Sequence, residues 1–256
     1  MAVPLPLRDD LPAKRTPWVN RALLTLNIVV FLFIQPPDFQ GGSVDGEIAG
    51  FGPEAEEFLY EYGTVPCEIQ SGVELADEPL ACSEDVPAGT TLPDGKLIWF
   101  SLVSTMFVHG SALHLAGNMF YLWLFGDNVE DRLGHVPYLM VYLATGLVAD
   151  VAHVVTNLGS TVPTIGASGA VAGVMGAYAV LHPRARVLTG VLLPAMVAYL
   201  PAGFLIASMF MLEFFTPADS AVAWVAHVGG MVAGALIALV VRLVVKAPRS
   251  DTSSPG

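Results

Sequence analysis

Apolar residues in this chain gather in long unbroken runs, and polar residues collect between them. Six runs stand out, roughly Val19–Gln35, Leu113–Phe125, Val136–Leu158, Ile165–Leu181, Val187–Phe215 and Ala221–Val244. A membrane-crossing helix needs ~20 mostly apolar residues, because the hydrocarbon layer is ~30 Å thick and every peptide group must bond within its own segment. The pattern predicts an all-α membrane protein, a bundle of six transmembrane helices with one long outward loop between helices one and two. The second run is short for a span; Trp99–Val108, just before it, is also apolar and is expected in or on the outer leaflet. Lys14, Arg15 and Arg21 flank the start of the first run as in a signal peptide, but no small-residue cleavage site follows. That run reads as a retained helix.

Composition agrees with the pattern. Of 256 residues, 54% are hydrophobic and 13% charged, and the mean hydropathy is +0.62, more apolar than one soluble core can hide. Basic residues set the orientation, because Lys and Arg collect in cytoplasmic segments. Arg8, Lys14, Arg15 and Arg21 lie at the first run, Arg132 between runs two and three, Arg184 and Arg186 between four and five, and Arg242, Lys246 and Arg249 at the end of six. Only Lys96 falls on the other side. Residues 1–18 are thus expected as a cytoplasmic N-terminal tail, 19–246 as the membrane domain and 247–256 as a disordered C-terminal tail. Both termini are cytoplasmic in this reading, and the compact form points to a bacterial plasma membrane.

The long loop, 36–98, is an acidic extracytoplasmic insertion. Its 14 acidic residues between Pro36 and Lys96 account for most of the net charge of −12. Outward placement is permitted, since acidic residues contribute little to topology; a solvated outer cap is the simpler reading, and steering of substrate the other. Cys67 and Cys82 both fall in this segment, where an oxidising compartment would join them as a disulfide. The alternative is a pair of free thiols in the loop.

Chemistry has to come from polar residues inside the spans, which are costly unless paired. The candidates are His109, His114, Asn118, Asp150, His153, Ser168 and His227. Ser168 lies fifteen residues before Pro183 and His227 fifteen before Arg242, so at ~1.5 Å per residue both stand ~22 Å above the inner face. Asn118 and His114 precede Asp127 by nine and thirteen residues, ~14 and ~20 Å, and their four-residue spacing puts them on one helix face. Gly166, Gly169, Gly173 and Gly176 stripe the fourth run, and Gly230-Met231-Val232-Ala233-Gly234 gives the sixth a small face, so the two helices can pack closely. The bland alternative is that the glycines serve packing alone and the serine bonds a backbone carbonyl. Asp150 and His153 read as a structural pair rather than a proton relay, and His109 as a loop-capping residue rather than a water-feeding one.

Three separated motifs carry a resemblance over about Phe100 to Val244. Phe107-Val108-His109 with His114-Leu115-Ala116-Gly117-Asn118, Gly166-Ala167-Ser168-Gly169-Ala170, and Ala226-His227-Val228-Gly229-Gly230 are similar to the signatures of the rhomboid intramembrane serine proteases. The resemblance implies a six-helix bundle around a water-filled cavity open to the outside, with Ser168 as nucleophile and His227 as general base. It also implies an oxyanion hole of His114, Asn118 and the Ser168 N–H, and makes the fifth helix a candidate lateral gate. Pro194 and Pro201 in that run equally describe a plain kink. The chain departs from many relatives in having Phe100-Ser101 where they carry Trp-Arg, and Ala172 four residues after the nucleophile where some carry Tyr.

The expected function is hydrolysis of transmembrane protein substrates near the outer membrane face by a Ser–His dyad. The expected partners are those substrates and the lipid bilayer, with no nucleic acid, no metal and no organic cofactor; the sequence sets no oligomeric state. Two other readings are weighed: a catalytically silent rhomboid-like protein that binds membrane clients, and a transporter or channel. Intact Ser168 and His227 speak against the first, and the lack of symmetry between the halves against the second.

Overall fold

Apolar run three becomes helix α6 (His135–Thr156) and run six becomes α9 (Trp224–Lys246) in the computed structural model, which describes residues 4–37, 51–78, 82, 86, 89–191, 196–213 and 224–246. Among the described residues, His135–Thr156 and Trp224–Val244 are each long and apolar enough to cross a membrane. A third candidate is a broken pair, Ile98–Phe107 with Ala112–Leu133, bent by 80°. Its first half is α4 (Ile98–Ser104) plus a 3-10 turn, Thr105–Phe107; its second is α5 (Ala112–Leu133). Three shorter apolar helical stretches complete the set, at Trp18–Ile34, Ser168–Leu181 and Ala202–Met211.

Helix α1 (Trp18–Val29) runs into a π-helical turn, Val30–Ile34. α5 extends beyond the expected second run because its last turns carry buried polar residues with partners. Glu130, 1% exposed, accepts the N–H groups of Val19 and Asn20 at 3.0 and 2.7 Å and contacts the His135 ring. One carboxylate thus satisfies orphan amides at the start of α1, where no capping side chain is present. Asn20 in turn donates to the Leu122 carbonyl at 3.2 Å and accepts the Tyr138 hydroxyl at 2.8 Å, joining α1, α5 and α6.

The fifth run departs from expectation. Residues Arg186–Val191 (β2) and Met196–Pro201 (β3) form an antiparallel hairpin, and only from Ala202 does a helix begin, α8 (Ala202–Glu213). An apolar run fits a buried strand as well as a helix, and Val187, Thr189, Val191 and Val197 are β-branched. Pro201, at the strand end, would break a helix running through it. Strand β1 (Pro4–Asp9), within segment 1–18, pairs antiparallel with β2 to give the order β1-β2-β3, with a bulge between Pro6 and Arg8. Pro194, Phe215 and residues 221–223 of the predicted spans lie outside the described residues, as do 247–256.

The described part of the acidic segment 36–98 is folded. Helices α2 (Pro53–Tyr62) and α3 (Pro66–Ser71) both start on proline, and Cys67 and Cys82 are joined by a disulfide closing a separation of 15 residues. The Lys96 ammonium, 4% exposed, donates to Glu68 at 2.5 Å and to the Gly63 carbonyl at 3.0 Å. Burial lowers its pKa and the Glu68 charge opposes that shift. Thr64 and Thr164 form an isolated antiparallel bridge, fastening this cap to the connection between α6 and the Ser168–Leu181 helix.

Candidate active site

Helix α7 (Ser168–Leu181) opens on Ser168, with the fully buried Ala167 as its cap. The expected start at Ile165 is too early because Gly166 has φ 122, a left-handed value that leaves helical geometry. Gly166 is glycine for a second reason: a Cβ there would lie 2.8 and 2.9 Å from Cε1 and Nε2 of His114, and 3.7 Å from Ser168 Oγ. The His114 ring and the serine hydroxyl therefore border one small space. Thr105 holds this turn from outside, its carbonyl accepting the Gly166 N–H at 2.9 Å and its hydroxyl donating to the Thr164 carbonyl at 2.5 Å.

Helix α9 reaches the same place through glycine contacts. A Cβ on Gly230 would collide with the Gly169 carbonyl, one on Gly234 with the Gly173 carbonyl, and one on Gly176 with the Met231 carbonyl. The offset shared by the Gly230–Gly169 and Gly234–Gly173 pairs means that α7 and α9 run parallel, with backbones in touch. One turn up, a Cβ on Gly169 would be 3.8 Å from the Ala226 carbonyl oxygen. Ala226 precedes His227 and Gly169 follows Ser168, so the two candidate residues lie at one level on facing helices. Both are half-buried.

His114 and Asn118 share a face of α5. The helix is capped by Ser111, whose hydroxyl oxygen accepts the His114 N–H at 3.1 Å. Asn118, 7% exposed, donates to the His114 carbonyl at 3.2 Å. Ser168, by contrast, sits where α7 leaves amides without intrahelical acceptors and where the helix dipole favours negative charge. Ser168 Oγ and the His114 ring thus border one space at Gly166, with His227 at the same level on the facing helix and Asn118 one turn along α5 from His114.

The remaining candidates are placed apart from this cluster or in support of it. His109 is fully buried, its ring edge-on to that of His114 with centres 5.2 Å apart. Asp150 and His153 do not pair: among the described residues Asp150 Oδ2 has no hydrogen-bond partner, and His153 Nδ1 faces Asn157 Nδ2 at 3.4 Å. Three residues along a helix bring side chains to one side without joining them, and Asn157 is the nearer partner. The cysteines lie in the acidic cap, not at the cluster. Among the described residues no group of three or more His, Cys, Asp or Glu could hold a metal ion.

Two residues with structural weight escaped the sequence reading. In the sequence Glu130 stands among Asp127, Asp131 and Arg132, and Gln35 ends the first apolar run. The only signal for Gln35 was a carboxamide placed between an apolar run and Pro36-Pro37.

A helical membrane protein with a serine and a histidine on facing helices is the class that fold and site define. A family model described as "Rhomboid domain" matches residues 96–243, and the chain belongs to the rhomboid family. It is 31% identical over 99 residues to presenilin-associated rhomboid-like protein, mitochondrial, of Mus musculus, covering 38% of this chain and 26% of that protein. With rhomboid protein 1, mitochondrial, of Saccharomyces cerevisiae it shares 28% identity over 145 residues, 53% of this chain and 40% of the relative. With the rhomboid protease GluP of Bacillus subtilis it shares 30% over 141 residues, 53% and 25% respectively. The matched region thus spans between a quarter and two fifths of these relatives' own lengths. The family includes a bacterial protease and has mitochondrial and bacterial members.

Proposed function

We propose that the protein is an intramembrane serine endopeptidase that cleaves transmembrane protein substrates near the outer membrane face. The observation that carries this reading is the glycine cradle at Gly166, against which both Ser168 Oγ and the His114 ring abut. Ser168 Oγ attacks the scissile carbonyl carbon while His227 takes its proton. The tetrahedral oxyanion is held by His114, Asn118 and the Ser168 N–H; His227 then returns the proton to the leaving amine. Water hydrolyses the acyl-enzyme with the same base, restoring Ser168. A substrate helix must unwind to expose its carbonyl, since helical hydrogen bonds shield the peptide, so small or helix-breaking residues are expected at the cut.

In this reading the six spans are Trp18–Ile34, α5, α6, α7, α8 and α9. Residues 36–98 form the acidic cap outside, with the disulfide in an oxidising compartment, and both termini lie in the cytoplasm of a bacterium. Chemistry needs no metal or organic cofactor, because the dyad and its oxyanion donors supply base, acid and charge stabilisation.

Labelling by a serine-directed fluorophosphonate in detergent tests the assignment. Wild type should label, and Ser168→Ala and His227→Ala should not. Equal labelling of Ser168→Ala and wild type refutes it, and total inertness of a folded wild type favours the client-binding alternative.

A further inference from the structure

We infer that Gln35 is a positioning residue for the His114 imidazole, an inference that rests on the protease reading above. The π-helical turn Val30–Ile34 ends at Gln35, whose backbone turns extended (φ −66, ψ 140) while its N–H still donates to the Val30 carbonyl at 2.9 Å. π turns recur at functional sites because they re-aim the residues after them. Here the carboxamide, on a residue 6% exposed, meets His109. Its Nε2 donates to the His109 carbonyl at 2.9 Å and its Oε1 accepts the His109 N–H at 3.0 Å. This two-point clasp, across 74 residues of sequence, fixes both peptide groups that flank one Cα.

The clasped residue needs such a partner. His109 lies between the 3-10 turn and α5, in a stretch with extended backbone at Val108 (φ −95, ψ 135) and Ser111 (φ −162, ψ 162). Neither a helix nor a strand ladder takes up its buried N–H and C=O, and leaving them unmet is costly. Two routes lead from His109 to His114: the edge-on ring contact, and the Ser111 cap that fixes where α5 begins. His114 then presents its ring to Gly166 and Ser168 Oγ. The first helix, which contributes no residue to the dyad or the oxyanion hole, thereby sets the position of one oxyanion donor.

The test compares steady-state cleavage of a transmembrane substrate by wild type, Gln35→Leu and Gln35→Glu in detergent. Gln35→Leu keeps much of the volume and removes both hydrogen bonds; kcat should fall roughly 10- to 100-fold with KM nearly unchanged. Gln35→Glu carries a discriminating signature. A protonated carboxylic acid can donate to the His109 carbonyl and accept its N–H, whereas a carboxylate has no proton to donate. The ratio of its kcat to that of wild type should approach one at acid pH and fall as pH rises. Independently of activity, hydrogen exchange at the His109 amide should quicken roughly tenfold or more in Gln35→Leu.

Unchanged kcat in Gln35→Leu, a rise in KM alone, or a pH-independent Gln35→Glu ratio overturns the inference. If Gln35→Leu does not fold, the pH ratio of Gln35→Glu decides. Should folded wild type be inert toward both substrate and fluorophosphonate, the protease reading falls and the catalytic half of this inference with it. The exchange rate at His109 still decides whether the clasp exists.

Discussion

Cys67 donates its backbone N–H to the carbonyl of Ser160 at 3.0 Å, so the half-cystine helix of the acidic cap is tied to the chain that leads into Ser168. Together with the Thr64–Thr164 bridge and the Thr64 hydroxyl on the Ser101 carbonyl at 3.1 Å, this makes the cap a buttress of the α6–α7 connection.

Removing the disulfide is therefore expected to loosen the cap first. The bond closes a separation of 15 residues, for which the chain-entropy model gives about 3 kcal/mol. The Cys67→Ser/Cys82→Ser protein should show faster hydrogen exchange and quicker proteolytic nicking in α2 and α3, with α6 and α9 unchanged. Uniform acceleration across all helices would contradict a local role.

The Lys96–Glu68 pair makes a sharper energetic case because neither group reaches water, at 4% exposure each. Glu68 also accepts the Leu75 N–H at 3.1 Å. Lys96→Met strands a buried carboxylate and should cost about 3–5 kcal/mol, whereas the double variant Lys96→Met/Glu68→Leu should recover much of that loss. A double-mutant cycle on thermal unfolding gives the coupling; additive single losses would mean that the two charges act separately.

Alkaline pH should weaken the same cap through Tyr60. Among the described residues its buried hydroxyl has no hydrogen-bond partner, and burial, with help from Glu56 and Glu68, pushes its pKa up to about 12. The ordinary value is 10.0, so between pH 10 and 12 the unfolded chain loses this proton before the folded one. Stability then falls as pH rises through that window and is unaffected by Tyr60 below it. Tyr60→Phe should remove this slope and be neutral or slightly stabilising at pH 7, as measured by denaturant unfolding against pH.

Glycine substitutions should separate helix contact from helix propensity. Gly230→Ala and Gly234→Ala each drive a methyl group into a carbonyl of α7, and an overpacking penalty of about 1–3 kcal/mol is expected, with slower fluorophosphonate labelling of Ser168. Gly203→Ala on α8 meets nothing within 4 Å and should stabilise by about 0.4–1 kcal/mol with labelling intact. Melting temperatures and labelling rates of the three variants decide this.

Helices α6 and α9 were plain in the sequence because an apolar run of spanning length has few other solutions. The common level of Ser168 and His227 on facing helices was accessible to counting, since rise per residue is nearly constant, and the glycine stripes told which helices could touch. The β2–β3 hairpin was not accessible: Val187, Thr189, Val191 and Val197 suit a strand, but apolar continuity hides the two-residue period that would announce one. Gln35 and Glu130 were hidden for a different reason. Each is defined by a partner about 74 to 111 residues away, and nothing local distinguishes a buried polar clasp from a residue at a helix end.

Strand β1 covers one side of β2 along Pro4–Asp9. Trimming residues 1–9 would leave β2 with a row of unmet amide and carbonyl groups, an adhesive margin open to any extended peptide. A second molecule could supply that missing ribbon, so loss of this strand is expected to favour self-association.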